Sequence, residues 1–295
     1  MCSAGLQNCQ HASLNASLHV ISRIRGVAFL DDAVGKIYAI CRNSSTVSVF
    51  HAIPPYEQLR GINVSGLVEP TDIVACTTNR LLYVSDHAEG CVWQVTTGGK
   101  VDYRLPTWSP VRRKTSGVRP VSLSVRFGRL AVVEVGRILI CDSHDGKVDE
   151  IKFPVSATLH HGTETDHRSY VVALSDQSHS AIQEVKKDGS GKWLPVQEWH
   201  LTSFNRSLRP LYMAWDVSGF WYVLASDSCK VLVLDKALNE VRSVRLKKRS
   251  LPTRLCFLAQ RRKLFLVVGA GFGVNIYDGA VPAEQNVKVR RHITL

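Results

Sequence analysis

EPTDIVAC (69–76), RLLYVSD (80–86) and CVWQVTTGGK (91–100) form the stretch that decides the fold. Its first run opens on Pro70. Proline cannot donate to a ladder, and the first residue of a strand is where that costs least. The second run is almost continuously apolar, the pattern of a strand packed on both faces. The third ends in TTGGK, a turn sequence that tolerates positive φ. KVDYRL (100–105) then alternates polar and apolar residues, as an outer strand with a wet side does. Four short antiparallel strands in this order make one propeller blade.

The same phase returns along the chain. Pro120 in RPVSLSV (119–125), Pro210 in RPLYMAW (209–215) and Pro252 in LPTRLCF (251–257) stand where Pro70 stands. The intervals are 50, 90 and 42 residues, so the middle gap holds two units. A period in the mid-forties is blade size. Blade one reads as strands at 26–30, 36–42, 45–52 and 58–64, blade three as 122–126, 129–135, 137–142 and 147–153. Blade four, from TLHHGT (158–163) to KWLPVQEWHL (192–201), is held in place mainly by its position. The expected fold is all-β: a six-bladed β-propeller of four-stranded antiparallel blades over residues 23–295, with 1–22 as an N-terminal segment. Two segments compete to close the ring. His11–Leu18 and Val287–Thr294 both alternate apolar and polar residues. The C-terminal segment, a hairpin's distance after Tyr277, is the expected fourth strand of blade six, and the N-terminal one an extra edge or closing strand.

LLYVSDHAEGCVWQVTTGGK (81–100) and FWYVLASDSCKVLVLD (220–235) resemble the NHL repeat, with its apolar-Tyr-Val-x-Asp core, short loop, apolar strand and Gly-Lys turn. The similarity spans about residues 23–279; blades three and six lack the Asp. It implies the propellers of tripartite-motif proteins, which bind single-stranded RNA or protein partners. The RING, B-box and coiled coil that accompany those propellers are not in this sequence.

Composition is that of a globular chain: 295 residues, 45% apolar and 21% charged. The formal charge of +12 favours acidic partners, or serves solubility alone. No apolar run approaches the roughly 20 residues of a membrane helix. Met1–Ser17 lacks the basic start and apolar core of a signal peptide. Cysteines at 2, 9, 41, 76, 91, 141, 229 and 256 show no paired spacing and read as reduced. These features predict a cytoplasmic monomer with no membrane contact and no cofactor. Sequons at Asn15, Asn43, Asn63 and Asn205 stand against the cytosol.

Asp86, Asp176 and Asp227 close their second strands. They are a carboxylate ring for a cation, or each accepts backbone N–H bonds in the loop that follows. Their repetition in equivalent places favours the second role. Calcium held at inner-strand ends, as in propeller lactonases, would need acids there, but the expected ends are Leu30, Cys76, Arg126, Thr163, Trp215 and Ala259. His160, His161 and His167 lie near Glu164 and Asp166, but neighbours on a strand point to opposite faces, so at most one of the pair faces the channel. No G-x-S-x-G anchors a nucleophile, and no helix follows GAGFG (269–273) to cradle a phosphate.

The cations divide by face. Connections from a last strand to the next first strand share a face with the loops between second and third strands. That face collects Arg42, Arg112, Arg113, Lys114, Arg119, Arg206, Arg209, Lys247, Lys248, Arg249 and Arg254, with Trp108, Phe204 and Phe272 among them. It nets about seven positive charges against about two opposite. Cations with exposed rings suit single strands, by phosphate neutralisation and base stacking. The expectation is therefore a non-enzymatic platform for single-stranded RNA or an acidic protein or peptide. A protein-interaction scaffold on the same face is the rival, and a calcium-dependent hydrolase or lactonase a third reading.

Overall fold

The computed structural model describes residues 9–11, 14–19, 24–30, 35–97, 119–142, 148–165, 168–176, 179–200, 202–203, 206–207, 210–216, 219–225, 230–245, 252–260, 263–270 and 273–278. Two N-terminal strands, β1 (Cys9–His11) and β2 (Leu14–His19), precede a series of antiparallel sheets. The first blade is β3 (Ile24–Leu30), β4 (Lys36–Cys41), β5 (Thr46–His51) and β6 (Gln58–Asn63). A three-stranded sheet follows, of β7 (Pro70–Cys76), β8 (Leu81–Asp86) and β9 (Cys91–Thr96). The next blade is β10 (Ser122–Arg126), β11 (Arg129–Glu134), β12 (Arg137–Asp142) and β13 (Val148–Lys152). After it come β14 (Thr158–Glu164), β15 (Ser169–Ser175), β16 (Ser180–Lys187) and β17 (Trp193–His200). A two-residue hairpin, β18 (Thr202–Ser203) with β19 (Arg206–Ser207), leads to β20 (Pro210–Trp215), β21 (Trp221–Ala225), β22 (Lys230–Leu234) and β23 (Glu240–Arg245). The chain's last described strands are β24 (Pro252–Gln260), β25 (Lys263–Ala270) and β26 (Gly273–Asp278).

The all-β propeller of antiparallel four-stranded sheets stands, with its count corrected. Among the described residues five blades reach four strands, not six, because β7–β9 forms a sheet of three. The expected fourth strand there, 100–105, lies outside the described residues. First strands pack side by side in chain order, β3 on β7, β7 on β10, β10 on β14, β14 on β20, β20 on β24, and β24 returns to β3. The second strands are the most deeply buried, as their sequences require: β15 is buried along its whole length, and β8 and β11 at every residue but the first.

Closure is also corrected. β2 pairs antiparallel with β26, Leu14 opposite Tyr277 and His19 opposite Gly273, so the N-terminal segment supplies the outer strand of the last blade. β26 has β25 on its other edge, and the segment expected to close the ring, 287–295, lies outside the described residues. β1 runs parallel to β23 and adds a fifth strand to its blade.

Candidate functional site at the mouth of the central channel

Every first strand begins with the same irregularity. Pro70 pairs with Asp86 and Asp72 with Ser85, which leaves Thr71 extra; the same slip falls at Ile24/Gly26, Leu159/His161, Pro210/Tyr212 and Pro252/Arg254. In β10, Val133 meets both Val121 and Ser122. Such a bulge re-aims the side chain after it. The re-aimed residues are Asp72, Ser122, His161, Tyr212 and Arg254, and each reaches the next toward a closed cycle.

Asp72 accepts from Ser122 Oγ at 2.7 Å, from the backbone N–H of Leu123 at 2.8 Å and from that of Ile73 at 2.9 Å. Ser122 Oγ lies 2.7 Å from His161 Nδ1. The hydroxyl's one proton goes to the carboxylate, so Nδ1–H of His161 donates to Ser122 and Nε2 carries the lone pair. The His161 ring lies over Tyr212 with centroids 3.9 Å apart. Above the other side of the cycle, the Arg254 guanidinium sits 5.1 Å from the Tyr212 ring. Arg254 Nε then donates to Asp72 at 3.1 Å, and Nη2 to the carbonyls of Thr71 and Val121, both at 3.3 Å. The arginine bypasses β3, whose equivalent position is Gly26. A Cβ there would come within 2.9 Å of the Ile73 nitrogen and Cγ2, so that strand adds no side chain.

Burial sets the electrostatics. Desolvation raises the Asp72 carboxyl, while Arg254 and the bonds from Leu123, Ser122 and Ile73 pull it back. Burial, helped by the Arg254 charge, drops the His161 imidazole to about 3 and holds it neutral. Desolvation also pushes the Tyr212 phenol well above its usual range. Asp72 is fully buried and His161 1% exposed, whereas the Arg254 side chain keeps 14% of its surface. Arg254 is the most exposed member of the layer.

The remaining sequence candidates fall as follows. Asp86 is fully buried and accepts from the N–H groups of Val68, Glu69, Ala88 and Glu89 and from Trp93 Nε1, as a structural loop anchor does. Asp176 accepts from the backbone N–H of His179; Asp227 lies outside the described residues. His160 and His161 diverge as the strand rule requires, His160 meeting Ser175 Oγ at 2.8 Å. At the channel's other end Arg126 sits 5.1 Å over the Trp215 ring, and buried Glu164 pairs with Arg129.

Of the basic-face candidates, Arg42 is exposed, and Arg119 Nη1 lies 3.4 Å from His87 Nε2. Trp108, Arg112, Arg113, Lys114, Phe204, Arg209, Lys247, Lys248, Arg249 and Phe272 lie outside the described residues, as does the side chain of Arg206. Arg254 alone joins a site, and it does so inward, against Asp72. Asp72, Ser122 and Tyr212 were not legible as site residues, although one signal marks four of the five: with Asp72, Ser122, Tyr212 and Arg254 each stands two after its proline.

Fold and site together define a β-propeller with a polar, buried layer across its channel. It resembles virginiamycin B lyase from Staphylococcus aureus at 11% identity and a TM-score of 0.61, over 91% of this chain and 99% of that one. A putative gluconolactonase matches at 13% and 0.64, over 91% and 92%, and a luciferin-regenerating enzyme at 12% and 0.63, over 90% and 97%. No family model matches the chain, and no curated protein does. Identity this low shows the fold alone. The expectation of a non-enzymatic platform for single-stranded RNA is corrected by these neighbours, which are enzyme-type propellers and give RNA binding no support. Its physical premise also weakens, since Arg254 neutralises an internal carboxylate instead of a phosphate. Among the described residues no helix is long and apolar enough to cross a membrane, and five described cysteines, 41, 76, 91, 141 and 256, are free thiols.

Proposed function

We propose that this chain is an enzyme-type propeller that takes a small carbonyl-bearing molecule at the channel mouth, over the layer from Asp72 to Arg254. The observation that carries the reading is the convergence of one carboxylate, one hydroxyl, one neutral imidazole, one phenol and one guanidinium from five different sheets. A set of buried titratable side chains with shifted protonation, converging from several elements, is the physical mark of a functional site. Arg254 is the group that meets the substrate, its cation directed at a carbonyl oxygen. Asp72 and Tyr212 fix the guanidinium from below and beside, and Ser122 with His161 completes the hydrogen-bonded frame. Neighbours named as a lyase and a putative gluconolactonase lend support, since both names imply ring-opening or elimination on small molecules. The same reading counts the three-stranded sheet β7–β9 as a sixth blade of an NHL-like ring, supported by its Pro70 phase and by its packing between β3 and β10.

The test is incubation of the purified protein with a panel of lactones and cyclic esters, followed by mass spectrometry. Hydrolysis adds one water to the product, and elimination leaves the mass unchanged. Turnover is expected, and Arg254→Lys, which keeps the charge but loses the planar fork, should lower kcat/KM by about 100-fold. An inert panel with no saturable binding, or an Arg254→Lys protein as active as the parent, overturns the proposal and leaves the layer a purely structural clasp.

A further inference from the structure

β17 is the outermost strand of its blade and exposed along most of its length. Alternate residues of a strand share a face, so Glu198 and His200 stand side by side. His200 pairs with Ala181 across β16, and His179 lies two residues before Ala181, in the loop that enters β16. This register brings three donor side chains together at one blade corner. One ligand atom from each of His179, Glu198 and His200 lies within 4.8 Å of both others. The two imidazoles meet edge to face with centroids 5.3 Å apart.

A second, independent feature orients the set. Asp176 Oδ1 accepts both the backbone N–H of His179, at 2.8 Å, and its ring Nδ1, at 3.1 Å. That fixes the tautomer with Nδ1–H toward the carboxylate and the lone pair on Nε2. A carboxylate behind a histidine in this way is the usual outer support of a metal-ligating imidazole.

We propose that His179, Glu198 and His200 bind a divalent ion of the zinc, copper or nickel class, with Asp176 as the positioning residue. The two imidazoles are borderline nitrogen donors, and with one carboxylate beside them they suit these ions over calcium or magnesium, which take oxygen ligands. Ligands about 2.0–2.1 Å from a tetrahedral ion stand about 3.4 Å apart. The three side chains therefore close by on the order of 1 Å, a shift that exposed rotamers make freely. Three protein ligands leave a fourth position for water or another donor. The ion would tie the loop after β15 to the wet outer strand.

The probe is zinc alone, titrated calorimetrically into the full chain after treatment with chelator. One equivalent should bind at pH 7.5, and affinity should fall as pH is lowered toward about 5.5, because protons compete for the imidazoles. Zinc should also raise the melting temperature. His200→Ala and His179→Ala should each abolish that equivalent, and Asp176→Asn should weaken it by about 10-fold or more. His179 and His200 are exposed, and Asn at 176 keeps an acceptor for the loop, so the variants should melt like the parent in chelator. With copper in place of zinc, electron paramagnetic resonance should show coupling to two imidazole nitrogens, reduced to one in either alanine variant. If the double variant His179→Ala/His200→Ala binds zinc as tightly as the parent, the proposal is overturned.

Discussion

Asp86 shows what a single residue does in this fold. Four backbone N–H groups and the Trp93 indole converge on one buried carboxylate, which ties the entry of β7 to the loop after β8. Replacement by alanine strands several buried donors at once, each costing on the order of 1–3 kcal/mol. Asp86→Ala should therefore lose about 3 kcal/mol or more in urea unfolding, while Asp86→Asn, still an acceptor, loses less. An alanine variant that unfolds like the parent would show that the donors find water instead. His161 supplies the pH dependence. Its folded value is about 3, far below the ordinary imidazole value near 6.5. A proton therefore binds the unfolded chain first, so stability is full above about pH 6.5 and drains as pH falls toward 3. Asp72, raised by burial, contributes with the opposite sign as pH climbs above the usual carboxylate range. Subtracting the stability profile of His161→Gln from that of the parent isolates the imidazole. The difference should amount to several kcal/mol across that window; a flat difference means that His161 takes up protons as readily in the folded chain as in the unfolded one. Asp86 was legible in sequence because its motif repeats. Of His160 and His161 the strand rule allowed at most one to face the channel without choosing it, and its partners Ser122 and Tyr212 come from other repeats, marked only by their place two residues after a proline.

At the scale of the strand, the sequence carried the order well and the edges poorly. β4, β5 and β6 begin and end within a residue of the apolar runs that predict them. Hydrophobic periodicity marks a strand's faces, however, and says nothing about which edge it joins. Two alternating segments competed for β26, and only the hydrogen-bond register of Leu14–His19 against Gly273–Tyr277 decides between them. The bulge at each first strand was similarly silent, because Pro at a strand start is compatible with a regular ladder. Pairing by β2 closes the ring with a strand from the opposite chain end, so closure stabilises by ring formation rather than by burial alone. Deleting residues 1–19 should uncover the full edge of β26, a row of unpaired N–H and C=O groups ready to join another chain. The truncated protein should melt roughly 5 °C or more below the parent and self-associate in sedimentation velocity. A truncation that stays monomeric with an unchanged melt would mean that another segment takes the β26 edge.

For the whole molecule, the layer across the channel makes the ring more than a stack of neighbours. In a repeat array each unit touches only the next, and stability is close to a sum of local terms. Here Arg254 passes the strand beside it and pairs with Asp72, joining β24 to β7 across the Gly26 gap. Removing the guanidinium leaves a buried carboxylate that has lost its only charged partner in the layer, a loss typically costing about 3–5 kcal/mol. Arg254→Met should show a penalty of that size in urea unfolding. Asp72→Asn keeps an acceptor for Ser122 and Leu123 but faces the buried cation without its charge, and should also destabilise. The double variant buries no charge at all, and buried pairs replaced on both sides are often close to neutral. Its loss should therefore fall short of the sum of the single losses by about 2 kcal/mol or more, within the range of directly interacting residues. The cycle separates this lock from two independent local defects, since distant uncoupled sites add to within about 0.5 kcal/mol. Additive losses would mean that Arg254 and Asp72 are each held by their own strands, and that the ring gains nothing from the bridge between them.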